Sequence, residues 1–320
     1  MSQQQGQQGQ QQGQQQTAPQ SLPQDHFDRY TVEHETRYAY TAPVSQSWQL
    51  GRLTPRGLPW QRVLSHSLQI DPPPDERHEA LDSFGNSVSH FGLHGAHRQL
   101  RVRMQCQVEV GERPAADLAP ALTVDAVREA LRRPGGEACD LDAARMAEPT
   151  RLVPLSEAAR LYAEPSLQPD RPWIEALSEL THRIHADFEF DAGATTVSTS
   201  VDEVMQHRRG VCQDFAHLML ACLRGHGLSA RYMSGYLLTD SPPGMPRLMG
   251  VDASHAWVAA YLPDHGWVEF DPTNNQLADR RYITLAWGAD FADVVPLRGV
   301  ILGGGTMQRM DVSVSVIPQG

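Results

Sequence analysis

Cys212 has the setting of a nucleophile. It follows Gly210-Val211 and opens an apolar segment in which Phe215, Leu218, Met219, Cys222 and Leu223 recur at three- and four-residue spacing. That spacing marks one buried helix face, and Gly225 and Gly227 close the segment as helix C-termini usually close. Cys212 therefore stands in the first turn, where backbone N–H groups are unpaired and the helix dipole favours negative charge. Both effects stabilise a thiolate, the form of Cys that attacks a carbonyl carbon.

Two more polar residues stand at the ends of regular elements. His255 precedes a strand over Ala256–Leu262, and Asp271 follows a strand over Trp267–Phe270. Pro263-Asp264-His265-Gly266 between them has the length of a hairpin loop. Antiparallel pairing would bring both residues to one end of the sheet. Asp271 could then hold one ring nitrogen of His255 while the other faces the thiol. Taken alone, Cys212 reads more simply as a buried structural thiol, because free Cys is among the most buried residue types. The matched strand ends shift the balance toward a Cys–His–Asp set. A metal on these three residues is the other arrangement their types permit, but ordered strand-end placement fits a triad better. His90, His94 and His97 suggest a metal cluster only by count; their strand-like context and the lack of a nearby Cys pair read as scattered surface histidines, and no metal is expected. His217, inside the helix, reads as structural, and Asp214 as a first-turn acid compatible with the dipole.

Strands and helices must position these residues. From Tyr30 to Tyr40 the alternate positions Tyr30, Val32, His34, Thr36, Tyr38 and Tyr40 oppose Thr31, Glu33, Glu35 and Arg37, a period-two strand with one aromatic face. Further strands are predicted near Val63–Ile70, Val88–Leu93 and Leu100–Val110, with a turn at Asp82-Ser83-Phe84-Gly85-Asn86. Short strands separated by turns imply an antiparallel β-sandwich over 25–112. Residues 113–170 change character at Glu112-Arg113-Pro114 and read as a helical connection, with helices near Val124–Arg132 and Ser156–Ala163 and a break at Pro134-Gly135-Gly136. Arg171–Asp187 reads as a helix whose stripe is Trp173, Ala176, Leu177, Leu180 and Ile184, with Pro172 suited to its first turn. A strand at Ala230–Leu238 and a final one through Val312, Val314 and Val316 complete a second unit, 171–320.

Composition excludes some classes. The 320 residues suit two domains. With 27 basic and 38 acidic residues the net charge is −11, which argues against nucleic acid or an anionic membrane as partner. Cys106, Cys139, Cys212 and Cys222 form no CxxC pair and no disulfide framework. Cys106 and Cys222 read as buried hydrophobes and Cys139 as a loop thiol. Residues 1–24 are mostly Gln and Gly and are expected to be a disordered tail. The N-terminus shows no basic n-region or apolar h-region, and no apolar run has the length of a membrane span, so a cytoplasmic location is expected.

The motifs Gly210-Val211-Cys212-Gln213-Asp214-Phe215-Ala216-His217, Ala230-Arg231-Tyr232-Met233-Ser234-Gly235-Tyr236, His255-Ala256-Trp257 and Gly266-Trp267-Val268-Glu269-Phe270-Asp271-Pro272-Thr273-Asn274 resemble the core of the bacterial transglutaminase-like superfamily. Tyr30–Tyr40, Arg52-Leu53-Thr54-Pro55 and Asp82-Ser83-Phe84-Gly85-Asn86 resemble the β region that precedes this core in two-domain members. The resemblance covers about residues 27–110 and 171–320. It implies an α+β chain: the N-terminal antiparallel β-sandwich, then a papain-like core with a helix bundle packed on an antiparallel sheet. It also implies a triad of Cys212, His255 and Asp271. Gln206, six residues before Cys212, matches the offset of the oxyanion-hole Gln in papain-type proteases, and Trp257 is a candidate cleft wall. Two positions depart from the pattern: Ala289 stands where an Arg is usual, and Ala259 where an acid is often found.

The implied chemistry is thiol-dependent acyl transfer on peptide, isopeptide or side-chain amide carbonyls through a thioester. Hydrolysis is the first expectation and protein-glutamine transamidation, with an amine acceptor, the second. A binding module that kept the fold without activity is a reading of another class, disfavoured by intact Cys212, His255 and Asp271. A peptide or protein substrate and no cofactor are expected; the oligomeric state is not legible.

Overall fold

The computed structural model describes residues 27–114, 122–132, 141–193, 199–239 and 254–319. The Gln-rich tail, Cys139, the Pro134-Gly135-Gly136 break and Asp252-Ala253 lie outside the described residues. The chain adopts the α+β architecture expected.

The first unit is built on β1 (Asp28–Gly51), joined by β2 (Gln61–Asp71), β3 (Glu76–Leu81), β4 (Ser87–Leu93) and β5 (His97–Val110) in the order β2-β5-β1-β4-β3. Alternation dictates the faces. On β5 the side chains Leu100, Val102, Met104, Cys106, Val108 and Val110 are all buried, as are Tyr30, Val32, His34, Thr36 and Tyr40 on β1.

A helical stretch follows: α1 (Val124–Arg132), α2 (Leu141–Arg145), α3 (Glu157–Ala163) and α4 (Trp173–Asp187). Ser156 caps α3 by accepting from the Ala159 N–H, and the predicted stripe of α4 is buried. Then come β6 (Glu189–Phe190), α5 (Val201–His207), β7 (Arg209–Gly210) and α6 (Cys212–Gly225). Ser200 and Glu203 close a capping box on α5. Helix α6 is buried at every position from Asp214 to Arg224, the signature of a central helix rather than an amphipathic surface one.

The second sheet contains β8 (Ala230–Leu237), β9 (Ser254–Leu262), β10 (Gly266–Asp271), β11 (Gln276–Leu277) and β12 (Tyr282–Gly288), in the order β11-β10-β9-β8-β12. One face packs on α6 and α4; the other carries a second apolar cluster of Met233, Leu237, Trp257, Ala259, Ala278 and Tyr282. After α7 (Phe291–Val294) the chain forms β13 (Leu297–Gly303) and β14 (Gln308–Gln319).

Both final strands leave the second unit. β14 pairs antiparallel with Arg29–Tyr40 of β1, and β13 with Val44–Gly51. A grouping of 171–320 as one unit therefore does not describe the hydrogen bonding of residues 297–319. The alternation of Val312, Val314 and Val316 reveals a strand but not its partner. The turn predicted at Asp82–Asn86 joins the units as well. Asn86 donates to the Trp287 carbonyl at 2.8 Å and accepts the Trp287 N–H at 3.0 Å, while Asp82 takes Arg52 Nε at 3.0 Å. Gln61 brackets Thr284 in the same way, with two bonds of 2.8 Å to its backbone. Among the described residues no helix is long and apolar enough to cross a membrane.

Candidate active site

Cys212 is the first residue of α6 and is half-buried. Asp214 sets the entry of the chain: its buried carboxylate accepts the Val211 N–H at 2.8 Å, one half of a capping box. Gly210 is required by that approach, since a Cβ there would stand 2.8 Å from the Asp214 Cβ.

The β9–β10 hairpin brings the other two residues together. Gly266, at φ 98°, accommodates the turn, and the register runs from Gly266 opposite Leu262 to Phe270 opposite Val258. Asp271 thus ends its strand next to the start of β9. His255 Nε2 lies 2.7 Å from Asp271 Oδ2. The His255 side chain also hydrogen-bonds with Cys212; with Nε2 engaged by Asp271, Nδ1 is the nitrogen left for the thiol. The structure brings Cys212, His255 and Asp271 into one hydrogen-bonded chain.

Asp271 is fully buried yet amply supplied with donors. Its Oδ1 accepts the backbone N–H groups of Thr273 at 2.8 Å and Asn274 at 3.2 Å. Its Oδ2 accepts Asn274 Nδ2 at 2.7 Å and Tyr282 Oη at 2.5 Å, besides His255. Burial alone would raise its pKa, but hydrogen bonds from His255, Tyr282 and Asn274, with the His255 charge, hold it below the usual carboxylate value. Burial alone would push His255 down; hydrogen bonds to Asp271 and Cys212, with their charges, push it up to about 10. The ring is therefore held as imidazolium at neutral pH.

A second layer fixes the imidazolium from behind. The Trp257 ring stacks on His255 at 6.0 Å and 21°, and its Nε1 donates to Glu269 Oε2 at 2.7 Å. Arg113 Nε reaches the same oxygen at 3.1 Å, and its guanidinium also bonds the carbonyls of Tyr282 and Asp279. Ala259 stands directly opposite Glu269 in the strand pair, so a carboxylate occupies this part of the sheet from the neighbouring strand. Gly235 makes room for Trp257: a Cβ would lie 1.9 Å from the Ile283 carbonyl oxygen and 2.8 Å from the Trp257 ring.

Other sequence candidates fall elsewhere. Trp257 is fully buried with its N–H committed to Glu269, so it backs His255 instead of walling the cleft. Gln206 is exposed on α5 and is not among the residues lining the Cys212 cleft. His217 is buried and accepts the Phe291 N–H at 3.2 Å, a structural contact. Ala289 gives its carbonyl to Arg224 at 2.6 Å, outside the cleft lining. Among the described residues no group of three or more His, Cys, Asp or Glu is arranged to hold a metal.

The cleft has a volume of about 520 Å³. Cys212, Gln213, Tyr232, Ser234 and His255 line it from the second unit, and His34, Thr36 and Tyr38 of β1 with Met310 and Val312 of β14 line it from the first sheet. His34 locks the two together through Nδ1 and Tyr236 Oη at 2.8 Å. Sequence reasoning missed His34, Tyr232, Asn274 and Tyr282 as site residues. The run Tyr282-Ile283-Thr284-Leu285-Ala286-Trp287, rich in β-formers, was the available signal for β12.

Comparison with known proteins agrees with this architecture. Residues 30–109 match the bacterial transglutaminase-like N-terminal region, and residues 161–272 match the transglutaminase-like superfamily. An uncharacterized protein of Mycobacterium tuberculosis is 43% identical over 298 residues, covering 91% of this chain and 93% of that protein. A protein-glutamine gamma-glutamyltransferase of Pseudomonas aeruginosa is 34% identical over 80 residues, 25% of this chain and 12% of that enzyme. The crystal structure of a candidate cysteine protease from Cytophaga hutchinsonii superposes with a TM-score of 0.71 at 19% identity, covering 92% of both chains; this likeness speaks to fold alone. With both family matches and a relative similar over nearly the whole chain, the chain belongs to the transglutaminase-like superfamily.

Proposed function

We propose that the protein is a thiol-dependent acyl-transfer enzyme acting on peptide, isopeptide or side-chain amide bonds, with Cys212 as nucleophile, His255 as proton carrier and Asp271 as its orienting partner. One observation carries the reading: the hydrogen-bonded chain from Cys212 through His255 to Asp271 at the wall of an open cleft. Cys212 Sγ would add to the carbonyl carbon, and the His255 imidazolium would give its proton to the departing nitrogen, leaving a thioester and a free amine. An incoming water or amine would then lose its proton to His255, attack the thioester carbon and release Cys212.

The negative oxygen of each tetrahedral intermediate needs donors. The first-turn N–H of Cys212 supplies one. Tyr232 supplies a second. Tyr232 is among the residues lining the cleft, and burial, followed by the Cys212 charge, raises its pKa well above the ordinary value, so it stays a donor throughout the working range.

Hydrolysis is the main reading, giving a cysteine peptidase or amidase. Transamidation is the second, favoured by the local similarity to a protein-glutamine gamma-glutamyltransferase. A reducing compartment such as the cytoplasm suits the free thiols of Cys106, Cys212 and Cys222. The test is incubation with a diverse peptide library, with and without a primary amine, followed by mass spectrometry. Cleaved or deamidated products support hydrolysis and amine adducts support transamidation; both should vanish in Cys212→Ala. No product and no acylated Cys212 would leave the non-catalytic binding module instead.

A further inference from the structure

The cleft beside Cys212 is completed by a sheet face that changes character along its length. β1 and β14 pair with Val32 opposite Val316, His34 opposite Val314, Thr36 opposite Val312 and Tyr38 opposite Met310. Alternation places Val316, Val314, Val312 and Met310 on one face. Val316 and Val314 are fully buried in the core, yet Val312 is 49% exposed and Met310 is 56% exposed. The face runs out of protein to pack on just where the cleft begins, and both side chains line that cleft. Exposed apolar side chains at a concave site mark the part that a ligand covers. Phe291, Val295, Pro296 and Leu297 line the same cavity.

The charge character agrees. Among the described residues, no Asp, Glu, Lys or Arg lines the cavity. His34, the other imidazole there, is pushed down to about 4 by burial and is neutral at pH 7. A carboxylate or ammonium group seated against Met310, Val312 and Leu297 would lose its water, and the charged ring in the lining, His255, is already bonded to Asp271 and Cys212. An alkyl or aromatic side chain would gain by covering Met310 and Val312.

We propose that the substrate carries an uncharged, apolar side chain next to the scissile amide, seated against Met310, Val312 and Leu297, and that charged residues at this position are rejected. This specificity rests on the acyl-transfer reading above and narrows it: the substrate is an apolar peptide segment, recognised jointly by the two units of the chain. β14, the last strand, thus contributes to substrate choice although the reacting groups all lie on α6, β9 and β10.

The test uses two sets of internally quenched peptides and the full chain, with a primary amine present. One set varies the residue that supplies the scissile carbonyl and the other the residue that supplies the nitrogen. Acylation of Cys212 is followed by intact mass. At one of the two positions, Leu or Phe should exceed Glu, Asp or Lys by about a hundredfold in kcat/KM. Val312→Glu, at an exposed position that tolerates a polar side chain, should shrink the preference over Lys to below about tenfold. Equal turnover of Leu, Glu and Lys peptides at both positions, with acyl-Cys212 detected, overturns the inference and leaves the acyl-transfer reading standing. Absence of acyl-Cys212 with every peptide overturns both.

Discussion

Tyr282 Oη donates to Asp271 Oδ2 at 2.5 Å, the same oxygen that lies 2.7 Å from His255 Nε2. The two residues sit on β12 and β10, which are separated in the sheet by β8 and by the β9 strand that bears His255, so the phenol reaches across the sheet face past both. Tyr282→Phe should remove one donor from Asp271 and leave Gln276 Nε2, now 2.6 Å from that hydroxyl, without its partner. Expected is a roughly tenfold fall in kcat/KM, the worth of one hydrogen bond to a charged group. Asp271→Asn should cost about 10²–10⁴ by releasing the imidazole orientation. Steady-state kinetics beside thermal melts would check both; equal losses in the two variants would contradict the ordering.

The charge on His255 persists into alkaline pH. Its folded pKa lies above the free value, so the charged ring and its stabilising pairing are fully present below 6.5 and are lost as pH rises through about 10. Asp271 moves the other way and loses its charge only as pH falls through its lowered value. The alkaline limb of kcat/KM should centre near 10. Iodoacetamide at pH 6.5 should alkylate Cys212 about tenfold faster than a free thiol, and His255→Ala should remove that advantage. Peptide mapping of the alkylated site gives the rates.

Tyr232→Phe tests the second oxyanion donor. Loss of such a donor costs about 10²–10³ in kcat with little change in KM. A variant that alters KM alone would assign the phenol to substrate binding.

Gly235→Ala tests the packing behind the imidazolium. The added methyl meets the Ile283 carbonyl oxygen at 1.9 Å and the Trp257 ring at 2.8 Å, so β8 and β12 must move apart and Trp257 must give way as well. A loss of about 3 kcal/mol, or roughly 6–12 °C in Tm, is expected by differential scanning calorimetry. An unchanged Tm would refute the close contact.

Acid stability depends on two buried rings. Burial pushes both His34 and His217 from 6.5 to about 4. Each is neutral in the folded state, while the unfolded chain takes up its proton first, so stability falls as pH drops from 6.5 toward 4. Each ring accounts for roughly 3 kcal/mol over that range. Urea melts at several pH values should show the decline, and His217→Gln should flatten it.

Local pattern carried much of this architecture. Period-two burial on β1 and β5, the stripe of α4 and the apolar run of α6 all follow from spacing along the chain, because a strand or helix fixes which side chains share a face. The meeting of His255 with Asp271 was also legible, since a four-residue loop leaves two adjacent strands little choice but to pair. What the sequence could not decide was which distant strand comes alongside. Spacing identifies a face but not its neighbour, and neighbours are chosen by burial across the whole molecule. Only the tertiary structure therefore placed Tyr282 on Asp271, turned Trp257 away from the cleft and left Gln206 exposed. It also brought Met310 and Val312 of the last strand back to the first, where they wall the cavity that Cys212 opens into.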